Sequence, residues 1–170
     1  MKKCFFILIP ALALFLSSCF KDPKPQACNY DPCSYKAPAA EIAAVQHYLD
    51  SAGITGATQH CSGLFYKIDN PGTGKTPEAC QNVNVTYKGM LTNGHAFDSS
   101  KTGIDLSLAR VIQGWTNGVP LLKQNGKITL YIPPSLGYGA DPIRDRNNPS
   151  VVIIPGNSIL IFDIGLVTVY

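Results

Sequence analysis

Apolar and polar residues alternate along most of the second half of the chain. In "VNVTYKGML", Val83, Val85 and Tyr87 alternate with polar neighbours, which is typical of a half-buried strand. Turn signals such as "NPGTG" and the Asn-Gly of "TNGHAF" separate the predicted strands. Further strands are predicted in "GLFYKID", "KITLYI" and "SILIFDIGLVTV". Only "QGWTNGVPLL" predicts a helix in this half, so we expect an α+β domain with a mostly antiparallel sheet.

A helical period precedes these strands, in "PAAEIAAVQHYLDSAG". Ile42, Val45 and Leu49 lie three and four residues apart, so they form one apolar face of a helix. Pro38 suits the first turn of this helix, and Gly53 suits its end. We therefore expect a short N-terminal helix that packs on the rest of the domain.

The N-terminus has the pattern of an export signal. Lys2 and Lys3 precede the apolar run "CFFILIPALALFL", which is too short and too early for an ordinary membrane span. The run ends in "LSSC", which resembles the lipobox of bacterial lipoproteins. Cleavage before Cys19 would then leave a lipidated cysteine that anchors a soluble body to a membrane. We expect a cell-envelope lipoprotein on the outer membrane, facing the periplasm or the surface; the alternative is a simple secretory signal with a chance Cys19.

The charge of the mature chain is close to neutral. Of 14 Lys and Arg residues, Lys2 and Lys3 leave with the signal, so 12 basic residues remain against 11 acidic ones. No basic stripe is visible, which argues against nucleic-acid binding. A mature chain of roughly 150 residues suits one compact domain plus a tether.

Six cysteines are present, of which Cys4 lies in the predicted signal and Cys19 is the predicted anchor. An even number in an exported chain favours disulfides, and four cysteines allow three pairings. Because the first two lie close in sequence, we expect each neighbouring pair to join, as Cys28–Cys33 and Cys61–Cys80. A zinc site is the rival interpretation, but no CxxC or nearby His pair supports it, so we expect no metal.

No motif for covalent, metal or nucleotide chemistry appears in the sequence. There is no G-x-S-x-G, no H-E-x-x-H and no Gly-rich phosphate loop, so no cofactor is expected. Aromatic residues close to glycines stand out instead, and any one of them could simply fill an ordinary core. They are Tyr87, Phe97, Trp115, Tyr138 and Phe162.

Five stretches around these aromatics, in order, resemble the FKBP-type peptidyl-prolyl cis–trans isomerases. They are "SGLFYKIDNPGTG", "VNVTYKGMLTNGHAFDSS", "VIQGWTNGV", "LYIPPSLGYG" and "IIPGNSILIFDIGLVTV". The resemblance covers roughly residues 62–170. We therefore divide the chain into a signal peptide at 1–18, a lipidated tether at 19–37, an N-terminal helix and linker at 38–61 and an isomerase domain at 62–170.

The resemblance implies a five-stranded antiparallel sheet wrapped over a short helix, with a substrate pocket between them. In that family pattern Trp115 forms the pocket floor, and the backbone N–H of Ile112 holds a substrate carbonyl. Phe97, Asp98 and Tyr138 are the implied catalytic residues, with Asp98 and the Tyr138 hydroxyl at the polar rim. The other implied substrate-binding residues are Tyr87, Val111, Ile154 and Phe162.

This resemblance implies an isomerase that assists the folding of exported proteins. Its substrates would be proline-containing polypeptides, and rapamycin-type macrolides would bind the same pocket. Rotation about an X–Pro bond is slow but breaks no bond, so no nucleophile or metal is required. A non-catalytic FKBP-like binding module or chaperone is the alternative; a purely structural surface lipoprotein would leave the pocket unexplained.

Three departures from the family pattern change the expected pocket. Ile104 or Leu106 stands where the family often has phenylalanine, so one wall is aliphatic. Pro120 follows "WTNGV", where the family usually continues its helix, so either the helix ends there or Pro120 falls in its first turn. The loop at 140–152 is long, and its charged residues either meet charges beside a substrate proline or are simply solvated. These residues are Arg144, Asp145 and Arg146.

Overall fold

The computed structural model describes residues 28–170. The predicted signal peptide, the predicted anchor Cys19 and the first part of the predicted tether lie outside the described residues. Within residues 28–170, no helix is long and apolar enough to cross a membrane.

The described chain contains two α-helices, eight strands and three single 3₁₀ turns. The helices are α1 (Ala39–Ser51) and α2 (Gln113–Gly118). The strands are β1 (Thr58–Gln59), β2 (Phe65–Asn70), β3 (Asn82–Leu91), β4 (Ala96–Ser107), β5 (Lys127–Ile132), β6 (Ile143–Arg144), β7 (Val152–Ile154) and β8 (Leu160–Val169). The 3₁₀ turns are Leu108–Arg110, Val119–Leu121 and Pro134–Leu136.

The main sheet is antiparallel, with the strand order β1-β2-β5-β8-β3-β4. The predicted α+β fold, an antiparallel sheet over a short helix with a second short helix before it, is confirmed. The sheet has six strands rather than five, because the two-residue strand β1 pairs with β2 at one edge.

The helix α2 packs closely on one face of this sheet. A Cβ atom on Gly114 would lie 2.6 Å from Cγ2 of Ile132 on β5, so only glycine allows this approach. The main apolar core forms around the contact and includes Trp115, Leu130 and Phe162. α2 ends at Gly118, and Pro120 lies in the first turn of the following 3₁₀ helix, where its missing N–H is tolerated.

The helix α1 packs on the opposite face of the sheet. Alternate residues of a strand point to opposite faces, so Phe65, Tyr131 and Ile161 face away from α2. Val45 and Leu49 of α1 join these three in a second buried cluster. The predicted apolar helical face is therefore the surface by which α1 attaches to the sheet.

Two disulfides join the N-terminal segment to the domain, and the predicted pairing is wrong. The bonds are Cys28–Cys80 and Cys33–Cys61, with Cα–Cα distances of 5.6 and 5.5 Å. They span 52 and 28 residues, so each closes a long loop in place of the expected local ring. Proximity in sequence favoured the local ring, but it could not reveal which loops of the folded domain lie beside each cysteine.

Residues 28–37 therefore do not hang free of the domain, although they were predicted as part of the tether. Besides the disulfides, the hydroxyl of Tyr30 donates a 2.6 Å hydrogen bond to Oδ1 of Asn117 in α2. Ala37 is buried in the main core, and its N–H donates to the carbonyl of Ser62. The segment is thus fixed along its length.

The predicted long loop at 140–152 contains a small hairpin of its own. Ile143 pairs with Ile154, and Arg144 pairs with Val152. At the tip, Oδ1 of Asp145 accepts the N–H groups of residues 147 and 148 at 2.7 and 2.9 Å. The Arg144 guanidinium donates to the Pro149 carbonyl, so two of the charged groups here are engaged within the hairpin itself.

Candidate active site

A cavity of about 290 Å³ opens between α2 and the sheet face on which it packs. Strands β3, β4 and β8 supply one side, the turn before α2 supplies another, and Tyr138 stands at the end of the turn after β5. The lining residues are Tyr87, Asp98, Ile104, Leu106, Arg110, Val111, Ile112, Trp115, Tyr138 and Phe162.

The ring of Trp115 meets two other aromatic rings of the cavity lining edge to face. Trp115 is only 4% exposed, and its ring lies 5.2 Å from those of Tyr87 and Phe162, at interplanar angles of 81° and 87°. Such edge-to-face contacts match the charge distribution of aromatic rings and hold them in place. The cavity therefore has an apolar floor built from aromatic rings that pack directly on one another.

Phe97 lies behind this floor and is not among the residues that line the cavity. Its ring meets Phe162 edge to face at 5.5 Å. A Cβ atom on Gly89 would lie 2.7 Å from both of these rings, so glycine is needed between them. Phe97 thus supports Phe162 from the side.

The polar rim is organised around Asp98. Oδ2 of Asp98 accepts a 2.7 Å hydrogen bond from the Tyr87 hydroxyl, and Oδ1 accepts the N–H of Ser99 at 2.8 Å. Burial, the hydrogen bond to Asp98 and its charge raise the pKa of Tyr87 to about 12. Burial and then the Asp98 charge also raise the pKa of Tyr138. Both phenols are therefore protonated donors at neutral pH.

Two donors beside the cavity have no partner within residues 28–170. The Tyr138 hydroxyl makes no hydrogen bond there, and the side chain is 42% exposed at the rim. Ile112 is the residue before α2; its carbonyl accepts the N–H of Trp115 at 2.9 Å, but its own N–H has no acceptor in this part of the chain. Both donors are free to bind a carbonyl that enters the cavity.

Ile104 and Leu106 on β4 both line the cavity, so both residues that were considered for the position of the family's phenylalanine contribute to the aliphatic wall. Ile154, by contrast, was expected near the rim but does not line the cavity. It is 4% exposed and belongs to the main core, while its Cα partner across the β6–β7 hairpin is Ile143. Arg110 also lines the cavity, although it was not predicted as a site residue. The sequence signal that could have identified it is its position directly before the predicted site residue Val111.

A group of three possible metal ligands lies outside the cavity lining. Donor atoms of Cys33, His60 and Cys61 lie within 4.8 Å of one another. Both sulfurs are joined in the disulfide, and Nδ1 of His60 lies 2.9 Å from the Ser62 hydroxyl. In this oxidised form the group offers a metal no thiolate.

An antiparallel sheet that carries a short helix over an aromatic cavity defines an FKBP-like domain. The family model described as FKBP-type peptidyl-prolyl cis-trans isomerase matches residues 73–167. The chain belongs to this family, as the resemblance predicted.

Curated relatives support the same assignment. An FKBP-type peptidyl-prolyl cis-trans isomerase FkpA from Buchnera aphidicola subsp. Schizaphis graminum is 48% identical over 122 residues, which cover 68% of this chain and 44% of the relative. The FkpA protein of Escherichia coli K12 is 42% identical over 117 residues, 67% of this chain and 40% of the relative. The chain thus spans less than half the length of these relatives.

Solved structures agree with the fold. A peptidyl-prolyl cis-trans isomerase from Pseudomonas syringae pv. tomato superposes with a TM-score of 0.65 at 30% identity, covering 79% of this chain and 97% of that one. The crystal structure of Escherichia coli FkpA gives a TM-score of 0.63 at 36% identity, with 77% and 60% covered.

Proposed function

We propose that this protein catalyses cis–trans isomerisation of peptidyl-prolyl bonds in exported polypeptides. The observation that carries the proposal is the pairing of an aromatic floor, centred on Trp115, with two donors at the same cavity that have no partner within residues 28–170, the Ile112 N–H and the Tyr138 hydroxyl. The floor offers an apolar surface for a proline ring, and the donors offer hydrogen bonds to the carbonyl groups beside it.

Catalysis follows from removing the amide from water and fixing its neighbours. Rotation about the C–N bond costs about 18–20 kcal/mol because resonance gives that bond double-bond character. An apolar site disfavours the charge-separated resonance form, which weakens this double-bond character. Hydrogen bonds from Ile112 and Tyr138 hold the flanking carbonyls while the amide twists. A thousandfold acceleration needs about 4 kcal/mol, within the range of such positioning.

The test is direct measurement of exchange in a short proline peptide. The chain from residue 20 onward, which retains every described residue, is added at catalytic concentration, and the cis–trans exchange rate is followed by NMR. Acceleration that saturates with peptide supports the proposal. A folded protein that binds the peptide with a change in Trp115 fluorescence but leaves the exchange rate unchanged would instead establish the second candidate, a binding module without turnover.

We further propose that lipidation of Cys19 anchors the protein to a bacterial envelope membrane. The "LSSC" sequence and the apolar run before it support this placement. A Cys19→Ser variant expressed in its host should move from the membrane fraction to the soluble fraction. Retention of that variant in the membrane would contradict the anchor.

A further inference from the structure

Arg110 is an unengaged cation in the wall of the cavity. It is the only basic residue among those that line the cavity in the described chain. It ends the 3₁₀ turn Leu108–Arg110 and is exposed. Within residues 28–170 its guanidinium makes no hydrogen bond or ion pair, in contrast to that of Arg144, which donates to the Pro149 carbonyl.

The acidic group of the same cavity, Asp98, has hydrogen-bond partners within the domain. Both oxygens of Asp98 accept hydrogen bonds, one from Tyr87 and one from the Ser99 N–H. An incoming peptide therefore meets one carboxylate that is held by two hydrogen bonds and one guanidinium whose five donors have no partner within residues 28–170. Arg110 is thus the charged group of the cavity lining that lacks a partner in the described chain.

We propose that Arg110 is a specificity-determining residue that favours substrates with a carboxylate on a residue flanking the proline. This inference rests on the proposed isomerase function. A guanidinium presents two parallel N–H groups that match the two oxygens of Asp or Glu, and such paired, charge-assisted bonds are directional. Because Arg110 is exposed, solvent weakens the pair, and the expected preference is about threefold in kcat/KM.

Matched peptides isolate this charge from all other features of the substrate. One pair differs only in Glu or Gln before the proline, and a second pair differs only in Glu or Gln after it. We expect the wild-type protein to favour the Glu peptide of one pair about threefold, which also identifies the side of the proline that Arg110 reads. In about 1 M salt, where the screening length falls to about 3 Å, the ratio should approach one.

Variants then assign the preference to a residue. Arg110→Gln should bring the Glu/Gln ratio to about one, and Arg110→Glu should invert it, whatever their effect on the absolute rates. Arg144→Gln removes the same charge from the hairpin outside the cavity and should keep the wild-type ratio. An unchanged Glu/Gln ratio of kcat/KM in Arg110→Gln overturns the proposal. An equal fall of this ratio in Arg110→Gln and Arg144→Gln also overturns it, because overall surface charge would then explain the preference.

Failure of this inference is distinguishable from failure of the isomerase function. If the Gln peptides are isomerised and wild type shows no Glu preference, only the role of Arg110 is overturned. If no peptide is isomerised, the same four peptides are compared by titration of Trp115 fluorescence. Tighter binding of a Glu peptide that depends on Arg110 would support the charge recognition, and equal binding of Glu and Gln peptides would overturn it.

Discussion

The hydroxyl of Tyr87 on β3 donates a 2.7 Å hydrogen bond to Oδ2 of Asp98 on the neighbouring strand β4. Gly89 is the residue directly opposite Asp98, so the bond runs diagonally across the two strands. A tyrosine is long enough to reach a diagonal neighbour. The bond holds the Asp98 carboxylate in place beside the cavity that both residues line.

Loss of the Asp98 carboxylate should lower isomerase activity with little effect on folding. Asp98 is exposed, so Asp98→Ala leaves no buried gap, but it removes the group that orients Tyr87. We expect kcat/KM to fall about tenfold, equivalent to about 1.4 kcal/mol of transition-state stabilisation. Asp105→Ala is the control: it removes another hydrogen-bonded carboxylate of β4 that does not line the cavity. If the two variants have normal circular dichroism and equal activity, Asp98 does not contribute to the active site.

Phe97→Ala should also lower activity, by way of Phe162. Its ring supports Phe162 edge to face at 5.5 Å without lining the cavity. We expect kcat/KM to fall about tenfold, with a change in the near-ultraviolet circular dichroism of the aromatic cluster. Phe97→Leu, which keeps most of the apolar volume, should recover part of the rate. Full activity in Phe97→Ala would mean that Phe162 holds its position unaided.

Stability should decline at alkaline pH partly through Tyr87. Its pKa is raised from 10.0 in the unfolded reference to about 12 in the folded protein. Above pH 10 the unfolded chain loses this proton and the folded chain keeps it, so the contribution of Tyr87 is present below pH 10 and is lost as pH rises toward 12. Urea unfolding at pH 9 to 11.5 should show a smaller decline for Tyr87→Phe than for wild type. If the free energy of unfolding declines equally with pH in the two proteins, groups other than Tyr87 cause the loss of stability at alkaline pH.

Peptide mapping under non-reducing conditions should recover Cys28–Cys80 and Cys33–Cys61, with no free thiol among these cysteines. The paired variant Cys28→Ala/Cys80→Ala should lower the free energy of unfolding by about 3 kcal/mol, because it reopens a long loop. Recovery of a peptide that joins Cys28 to Cys33 would contradict this arrangement.

We propose that rapamycin-type macrolides bind the cavity and change the fluorescence of Trp115, the only tryptophan in the chain. The aliphatic wall formed by Ile104 and Leu106 should make macrolide binding weaker than in family members with phenylalanine there. Ile104 is 44% exposed, so Ile104→Phe can add a ring to the wall without overpacking the core. We expect several-fold tighter binding, equivalent to about 1 kcal/mol of aromatic contact. Val167→Phe, at a similarly exposed position outside the cavity lining, serves as the control and should leave the affinity unchanged.

Two kinds of feature could be predicted from the sequence. They are elements with a regular spacing of apolar residues, and site residues that lie in short motifs occurring in the same order as in the family. Alternation of apolar and polar residues predicted β3, and the apolar spacing of Val45 and Leu49 predicted the packed face of α1. The residues of the aromatic floor were likewise found, because short stretches around Trp115 and Phe162 identified the family.

The remaining features depend on contacts between distant parts of the chain. Which loop lies beside Cys28 is set by the packed domain, so its partner could not be read from spacing. Ile154 was expected at the rim, but the folded domain buries it in the main core. Arg110 lies directly before Val111, but that its side chain lines the cavity depends on how the 3₁₀ turn before α2 packs against the sheet.

The disulfide between Cys28 and Cys80 also determines how the domain bears a mechanical load. Any pull that arrives through residues before Cys28 passes across the sulfur bridge to Cys80, two residues before the start of β3. Because β3 lies between β4 and β8 in the main sheet, the force enters at an interior strand. The intervening chain, including α1, β1 and β2, is bypassed by this covalent route and carries little tension. A pull from the N-terminal side therefore leaves the packing of α1 intact as long as the bridge holds. Reduction of that one bond would shift the load to the Cys33–Cys61 bridge, which still bypasses α1, so only reduction of both bonds would expose the helix to the pull.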